Sequence, residues 1–220
     1  MKTLIIFCTA ILLPVTGAFA QTLNWHNIDG AKRNVVSVNA GWDYANTIGL
    51  AYTRVVMTKM PIALSGQFSK PAGNDFLDDF KSKLGGQMRL LTSGNFAVTA
   101  SVYGNYRQYQ SSMAKLQSFG CELAAIGGYY RTHWFLAMEV GFDKAIATRI
   151  RGSDWMKQNF PSSKDGWYVP TAGNFLFAIQ AGGSIKNIDL FLRAGQVTDQ
   201  NFKSSAQVPF MAQVGVNVKF

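Results

Sequence analysis

Phe210-Met211-Ala212-Gln213-Val214-Gly215-Val216-Asn217-Val218-Lys219-Phe220 alternates with a period of two. Phe210, Ala212, Val214, Val216, Val218 and Phe220 fall on one face, and Met211, Gln213, Gly215, Asn217 and Lys219 on the other. That period belongs to a β-strand whose two faces meet different surroundings, not to a helix. The second face is small and polar with a single charge, whereas the solvent face of a soluble sandwich carries many. A greasy outside and a small polar inside suit a strand whose outer face meets hydrocarbon and whose inner face lines a barrel.

Upstream the pattern recurs nine times. Val36, Val38, Ala40, Trp42 and Tyr44 oppose Ser37, Asn39, Gly41 and Asp43, and Ile62, Leu64, Gly66 and Phe68 oppose Ala63, Ser65, Gln67 and Ser69. Similar strands start at Leu84, Phe96, Phe119, Trp134, Phe175 and Asp189. Ile48–Met57 is the weak member, because Arg54 shares a face with Ile48, Leu50 and Tyr52; a bulge or a position at the membrane boundary is expected there. Ten strands follow, with eight as the alternative count, and an even number is the rule for single-chain bacterial barrels. Closure is required because an open sheet edge in hydrocarbon leaves backbone amides unpaired. The predicted fold is an all-β, closed antiparallel transmembrane barrel over residues 34–220.

Composition agrees. The 220 residues are 48% hydrophobic and 15% charged, against roughly 25% charged in soluble domains, and such apolar content excludes disorder. Twenty-one Lys+Arg against 12 Asp+Glu give +9, but the cations are scattered, so no nucleic-acid partner is indicated. Residues 1–20 read as an export signal, with Lys2, an apolar core Leu4–Leu13 and the small-x-small cleavage site Ala18-Phe19-Ala20. That core is too short to cross a bilayer as a helix. Cleavage removes Cys8 and leaves Cys121, which excludes an internal disulfide and a Cys-based metal site. No cofactor is expected.

Connection lengths orient the barrel, since such proteins have short periplasmic turns and longer external loops. Starting the first strand in the periplasm makes Thr58-Lys59-Met60, Ser93-Gly94-Asn95, Thr132-His133 and Lys186-Asn187 periplasmic. Lys70 to Lys83, Gln108 to Lys115, Ile150 to Gly173 and Val197 to Gln207 then form longer external loops. Both termini are expected in the periplasm. Residues 21–33, which do not alternate, read as a periplasmic N-terminal tail, and Trp42, Tyr44, Tyr129 and Trp134 as aromatic girdle residues.

With its export signal, its alternating strands and its closing Val214-Gly215-Val216-Asn217-Val218-Lys219-Phe220, the chain resembles small Gram-negative outer-membrane β-barrels of the broad OmpX/OmpW-like group. The resemblance implies that Val216, Val218 and Phe220 act as the signal read by the barrel-assembly machinery. Ten strands depart from the eight of the smallest members, so their individual functions do not carry over.

Two residue sets are candidates for function. Arg89, Arg107, Glu122, Glu139, Asp143 and Arg193 fall on the inner face. Placing turns at Thr132-His133 and near Ala114 brings Arg107, Glu122 and Asp143 to a similar height, with Glu139 lower; such a set is either a selectivity filter or a plug of paired charges. The long fourth loop groups Arg151, Trp155, Lys157, Trp167 and Tyr168 with Arg149, Phe160 and Lys164. These would meet an extracellular ligand through residues 150–173, or the outer-membrane lipids and lipopolysaccharide. A catalytic site is not expected: His133 lies in a periplasmic turn and His26 in the tail, away from the outer rim where enzymatic barrels hold their base. The reading favoured by sequence is a largely closed scaffold with binding or adhesion loops. The alternative is a narrow porin-like channel, warranted by the polar inner face of Ser37, Asn39, Ser65, Gln67, Thr99, Ser101 and Asn217.

Overall fold

The computed structural model describes residues 22–28, 32–73, 78–160, 164–202 and 205–220. The signal and its cleavage site at Ala18 and Ala20 lie outside these. The strands are β1 (Asn34–Trp42), β2 (Asn46–Val56), β3 (Ile62–Pro71), β4 (Asp79–Ser93), β5 (Phe96–Gln110), β6 (Ala114–Tyr130), β7 (Trp134–Gly152), β8 (Gly166–Tyr168), β9 (Gly173–Ile185), β10 (Ile188–Asp199) and β11 (Ser205–Lys219), with one helix, α1 (Asp154–Asn159), before β8. Ten of the strands form an antiparallel ring. β1 pairs with β2 and β11, and β6 with β5 and β7, so no edge remains; β8 is an eleventh short strand lying on the protruding end of β7.

The predicted faces hold along the strands, Tyr44 excepted. In β11 Val214, Val218 and Phe220 are exposed outward, while Gln213, Asn217 and Lys219 are buried inward. Val36 sits opposite Val218 and Val38 opposite Val216, so the strand read first in the sequence closes the ring, and Asn34 and Phe220 exchange two backbone hydrogen bonds of 2.9 Å. Arg54 needs no bulge: β1 and β2 run in unbroken register and Arg54 pairs with Asn34 at the last rung. A position at the membrane boundary lets its guanidinium reach water.

All four even connections are short, at residues 57–61, 94–95, 131–133 and 186–187, and lie at the same end as the two termini of the barrel. At the other, loop end the connections are 43–45, 72–78, 111–113, 153–172 and 200–204. Expected loop bounds are corrected here, and Val197 to Gln207 shortens to residues 200–204 because β10 runs to Asp199 and β11 begins at Ser205. The loop from Gln108 to Lys115 is only residues 111–113, because β5 and β6 pair as far as Gln110 and Lys115. The loop from Lys70 to Lys83 is shortened because β4 begins at Asp79. The fourth loop is partly regular, with α1 capped by the Ser153 side chain and β8 paired to Thr148–Ile150.

Rings mark two levels on the outer wall. Phe68, Phe80, Tyr106, Phe119 and Trp167 touch in sequence around the loop end, with centroids 5.6, 5.7, 5.0 and 6.1 Å apart. Phe96, Tyr129 and Trp134 do the same at the terminal end, at 4.8 and 5.5 Å. Along β5 and β6 the two levels are the registered pairs Tyr106–Phe119 and Phe96–Tyr129. That separation of ten residues is ~33 Å of strand, or ~25 Å of depth at a ~40° tilt, the height of the apolar band on outer-membrane barrels. Leu84, Val102, Met138 and Ile179 are among the exposed side chains between them. Tyr44 is the exception to the girdle expectation. It turns into the lumen and is 7% exposed.

A narrow lumen has little room for inward rings, and glycine supplies it. Phe135 faces Gly182 and Phe191 faces Gly215 across strand pairs. A Cβ on either glycine would lie 2.4 Å from the opposing ring.

Candidate functional site

The lumen divides into three levels. At the terminal end it is apolar: Leu23, Trp25 and Ile28 are buried among Val35, Val55, Ile126, Tyr130, Phe135 and Phe191. The segment Thr22–Ile28, read from sequence as part of a tail, is therefore tucked into the barrel. Asn24 explains why it stays, since its side-chain amide donates to the Ser184 hydroxyl at 2.8 Å and to the Arg131 carbonyl at 2.9 Å. The Asn217 amide donates to the Thr22 carbonyl at 2.8 Å, and the Arg89 guanidinium stands 5.6 Å over the Trp25 ring. The Asn24 side-chain amide of the segment thus bonds the wall, and the wall's Asn217 bonds the segment's backbone, while the segment's apolar side chains fill the bore. Nothing in the period-two pattern announces this, because a plug need not alternate.

Above the seal lie the charges. Lys219 is the exception, opposite Val35 at the level of the seal, and meets Asp189 at 2.6 Å. Arg193 on β10 reaches across β9 to Glu139 on β7, donating from Nε at 2.8 Å and from Nη2 at 2.6 Å, and Gln180 between them donates to the same carboxylate at 2.7 Å. Glu122 and Asp143 sit directly opposite one another on β6 and β7. Their cations come from β4 on the other side of β5: Lys83 contacts Glu122, and Lys81 stands 3.7 Å from Asp143, which also accepts from Asn105 at 3.1 Å. All these groups are almost fully buried, and a buried carboxylate is tolerated only with such partners. Ser37 donates to Asn217 and Thr53 to Ser65 on the same inner surface.

Arg107 differs from its expected place beside Glu122 and Asp143. It forms a pair with Asp79 at 3.4 Å and lies 4.2 Å over the Tyr44 ring, nearer the loop end. Lys81 and Lys83 were missed because residues 70–83 read as loop. The signal was present in Phe80-Lys81-Ser82-Lys83-Leu84-Gly85, which keeps the period with the lysines on the inner face.

The outer loop candidates are only partly gathered. Arg149 stacks 5.9 Å from Trp167, which touches Phe119. Trp155 instead meets Phe160 at 6.1 Å, and the Tyr168 hydroxyl donates to the Lys164 carbonyl at 2.6 Å. Lys157 pairs with Asp165 at 3.0 Å, and the Gly152 amide donates to Asp165 at 2.8 Å. That amide, with the lysine ammonium, holds the Asp165 carboxyl below its ordinary range. Arg151 ends β7 and is exposed. Among the described residues no group of three or more His, Cys, Asp or Glu is placed to hold a metal.

No family model and no curated protein matches the sequence. Solved structures do. The chain is similar to the COG4313 outer membrane channel from Pseudomonas putida F1, with a TM-score of 0.56 at 11% identity over 92% of this chain and 100% of that one. A weaker likeness, TM-score 0.42 at 8% identity over 84% of this chain and 99% of the other, is to the KdgM porin. At such identities the likeness concerns fold, and the OmpX/OmpW-like grouping stays an expectation from sequence. The chain has the closed, antiparallel ten-strand β-barrel fold of outer-membrane proteins.

Proposed function

We propose that the protein is a narrow outer-membrane channel for ions or small solutes, sealed in its resting form by Thr22–Ile28, with the loop end outside and both termini in the periplasm. One observation carries this reading. The charged middle of the lumen holds buried polar atoms with no protein partner: both carboxylate oxygens of Asp43, the Ser101 hydroxyl, Gln87 Oε1, Glu122 Oε1 and Gln213 Nε2. Each costs ~1–3 kcal/mol unless water serves it, so this level is suited to hydration. A cavity of about 20 Å³ among Asn39, Gln67, Ser69, Lys81 and Lys83 has room for a water molecule. A hydrated middle level is what a path for ions or small solutes needs. The sequence-favoured closed scaffold gains support from the paired charges, and the fold shared with an outer membrane channel supports the conducting alternative.

Single-channel recording tests it. Mature protein, residues 21–220, in a planar bilayer should give small steps, and a variant lacking residues 21–31 larger ones. Silence from both, with folding and insertion verified by heat-modifiable migration, would overturn the channel and leave the scaffold. In the deletion variant, Lys83→Ala should shift the reversal potential in a salt gradient towards cation preference, because it leaves Glu122 as an uncompensated anion.

A further inference from the structure

At the loop end β7 continues beyond β9, while β5 follows β6 as far as the Gln110–Lys115 pair. β9 pairs with β7 only as far as Lys144, and above this that side of β7 is flanked by β8 alone. On the outward face of this projection Lys115 lies directly opposite Arg151, Gln117 opposite Arg149, and Arg149 opposite Trp167. Phe119, 6.1 Å from Trp167, ties the group to the aromatic level that marks the edge of the apolar band.

Two features of this cluster need an explanation. Like charges directly opposite on paired strands disfavour the pairing, yet Lys115 and Arg151 are registered rung to rung. In the lumen Lys81, Lys83, Arg193 and Lys219 are matched with carboxylates, whereas on this ribbon no carboxylate lies within 4.0 Å of Lys115, Arg149 or Arg151 among the described residues, Asp165 acting on Arg151 only from farther away. Arg149 is held over the Trp167 ring, which orients its guanidinium and leaves its donors for an acceptor outside the protein. Planar guanidinium groups bind phosphate through two parallel hydrogen bonds. Height selects the source of that phosphate. The three cations stand one to two rungs beyond the ring level, where hydrocarbon gives way to headgroups.

We infer that Lys115, Arg149 and Arg151 form a site for the phosphate groups of an outer-leaflet lipid, with Trp167 and Phe119 packing against the start of its acyl chains. The inference rests on the orientation given above, with the loop end outside. The bound anion would cancel the repulsion between Lys115 and Arg151 and so stiffen the projecting ribbon.

The test uses mature protein in phosphatidylcholine nanodiscs, titrated with bisphosphorylated lipid A and read by native mass spectrometry. Wild-type protein should retain one lipid A, the K115Q/R149Q/R151Q variant should bind about 100-fold more weakly, and K59Q/R131Q/K186Q at the opposite end should bind like wild type. Each variant is first checked for heat-modifiable migration. Equal retention by the first variant, or equal loss by the second, would overturn the site. Both faces of a nanodisc are open to the lipid, so this result does not depend on orientation. Orientation is tested separately by S112C in a Cys121→Ser background: failure of a membrane-impermeant maleimide to label intact cells would reject the loop end as the outer one and leave the binding result standing.

Discussion

Arg193 and Glu139 are joined by two hydrogen bonds, of 2.8 and 2.6 Å, although their strands are not neighbours. The pair spans β9 and braces one side of the barrel from within. Both side chains are about 1% exposed or less. Glu139→Ala strands a buried guanidinium and should cost ~3–5 kcal/mol, seen as a lower urea midpoint for unfolding from lipid vesicles. Glu139→Leu with Arg193→Met should recover most of the loss, because no charge is then left unpaired.

Gly182 offers a packing test. A Cβ there would meet the Phe135 ring at 2.4 Å and the Leu190 carbonyl at 2.7 Å, and neither a ring in a filled bore nor a ladder carbonyl moves easily. Gly182→Ala should destabilise by ~1–3 kcal/mol, whereas Gly183→Ala, whose nearest neighbour would be 3.9 Å away, should be near neutral. Equal effects in the same urea titration would count against the close approach of Phe135.

Phe220 separates assembly from stability. Its backbone closes the ring with Asn34, while its side chain is exposed on the outer wall. Phe220→Ala keeps both hydrogen bonds and loses only the transfer of its ring from water to the membrane, so refolding of purified protein should change by about 1–3 kcal/mol. The amount of heat-modifiable barrel assembled in cells should nevertheless fall severalfold if this residue is part of the assembly signal.

Asp165 should make the outer loop sensitive to acid. Its carboxyl is held below the ordinary Asp value of 3.8 by the Gly152 amide and Lys157. A carboxylate whose folded-state affinity for protons is lowered contributes order above its unfolded titration and loses it as pH falls through the folded one. Near neutral pH the contribution is complete; below about 3.8 the protection of the Gly152 amide from hydrogen exchange, relative to a free amide at the same pH, should fall. Asp165→Asn should remove that pH dependence while leaving exchange in β5 unchanged.

The sequence by itself determined the wall. Alternation in Val214–Phe220 and nine other segments fixes which side chains face lipid and which face the bore, because a strand has a strict period of two and a one-residue slip would invert every one of them. It also placed Arg89, Glu122, Glu139, Asp143 and Arg193 on the inner surface, and left Arg54 between a bulge and a boundary until the unbroken register of β1 and β2 removed the bulge. What occupies the bore was decided by tertiary structure alone. Glu122 finds Lys83 two strands away, Arg107 finds Asp79 and Tyr44, and Thr22–Ile28 enters an apolar end whose lining comes from seven strands. Those pairings depend on strand stagger and on the few ångströms available across a closed ring, distances that arise only once the ring has closed and that no local period encodes.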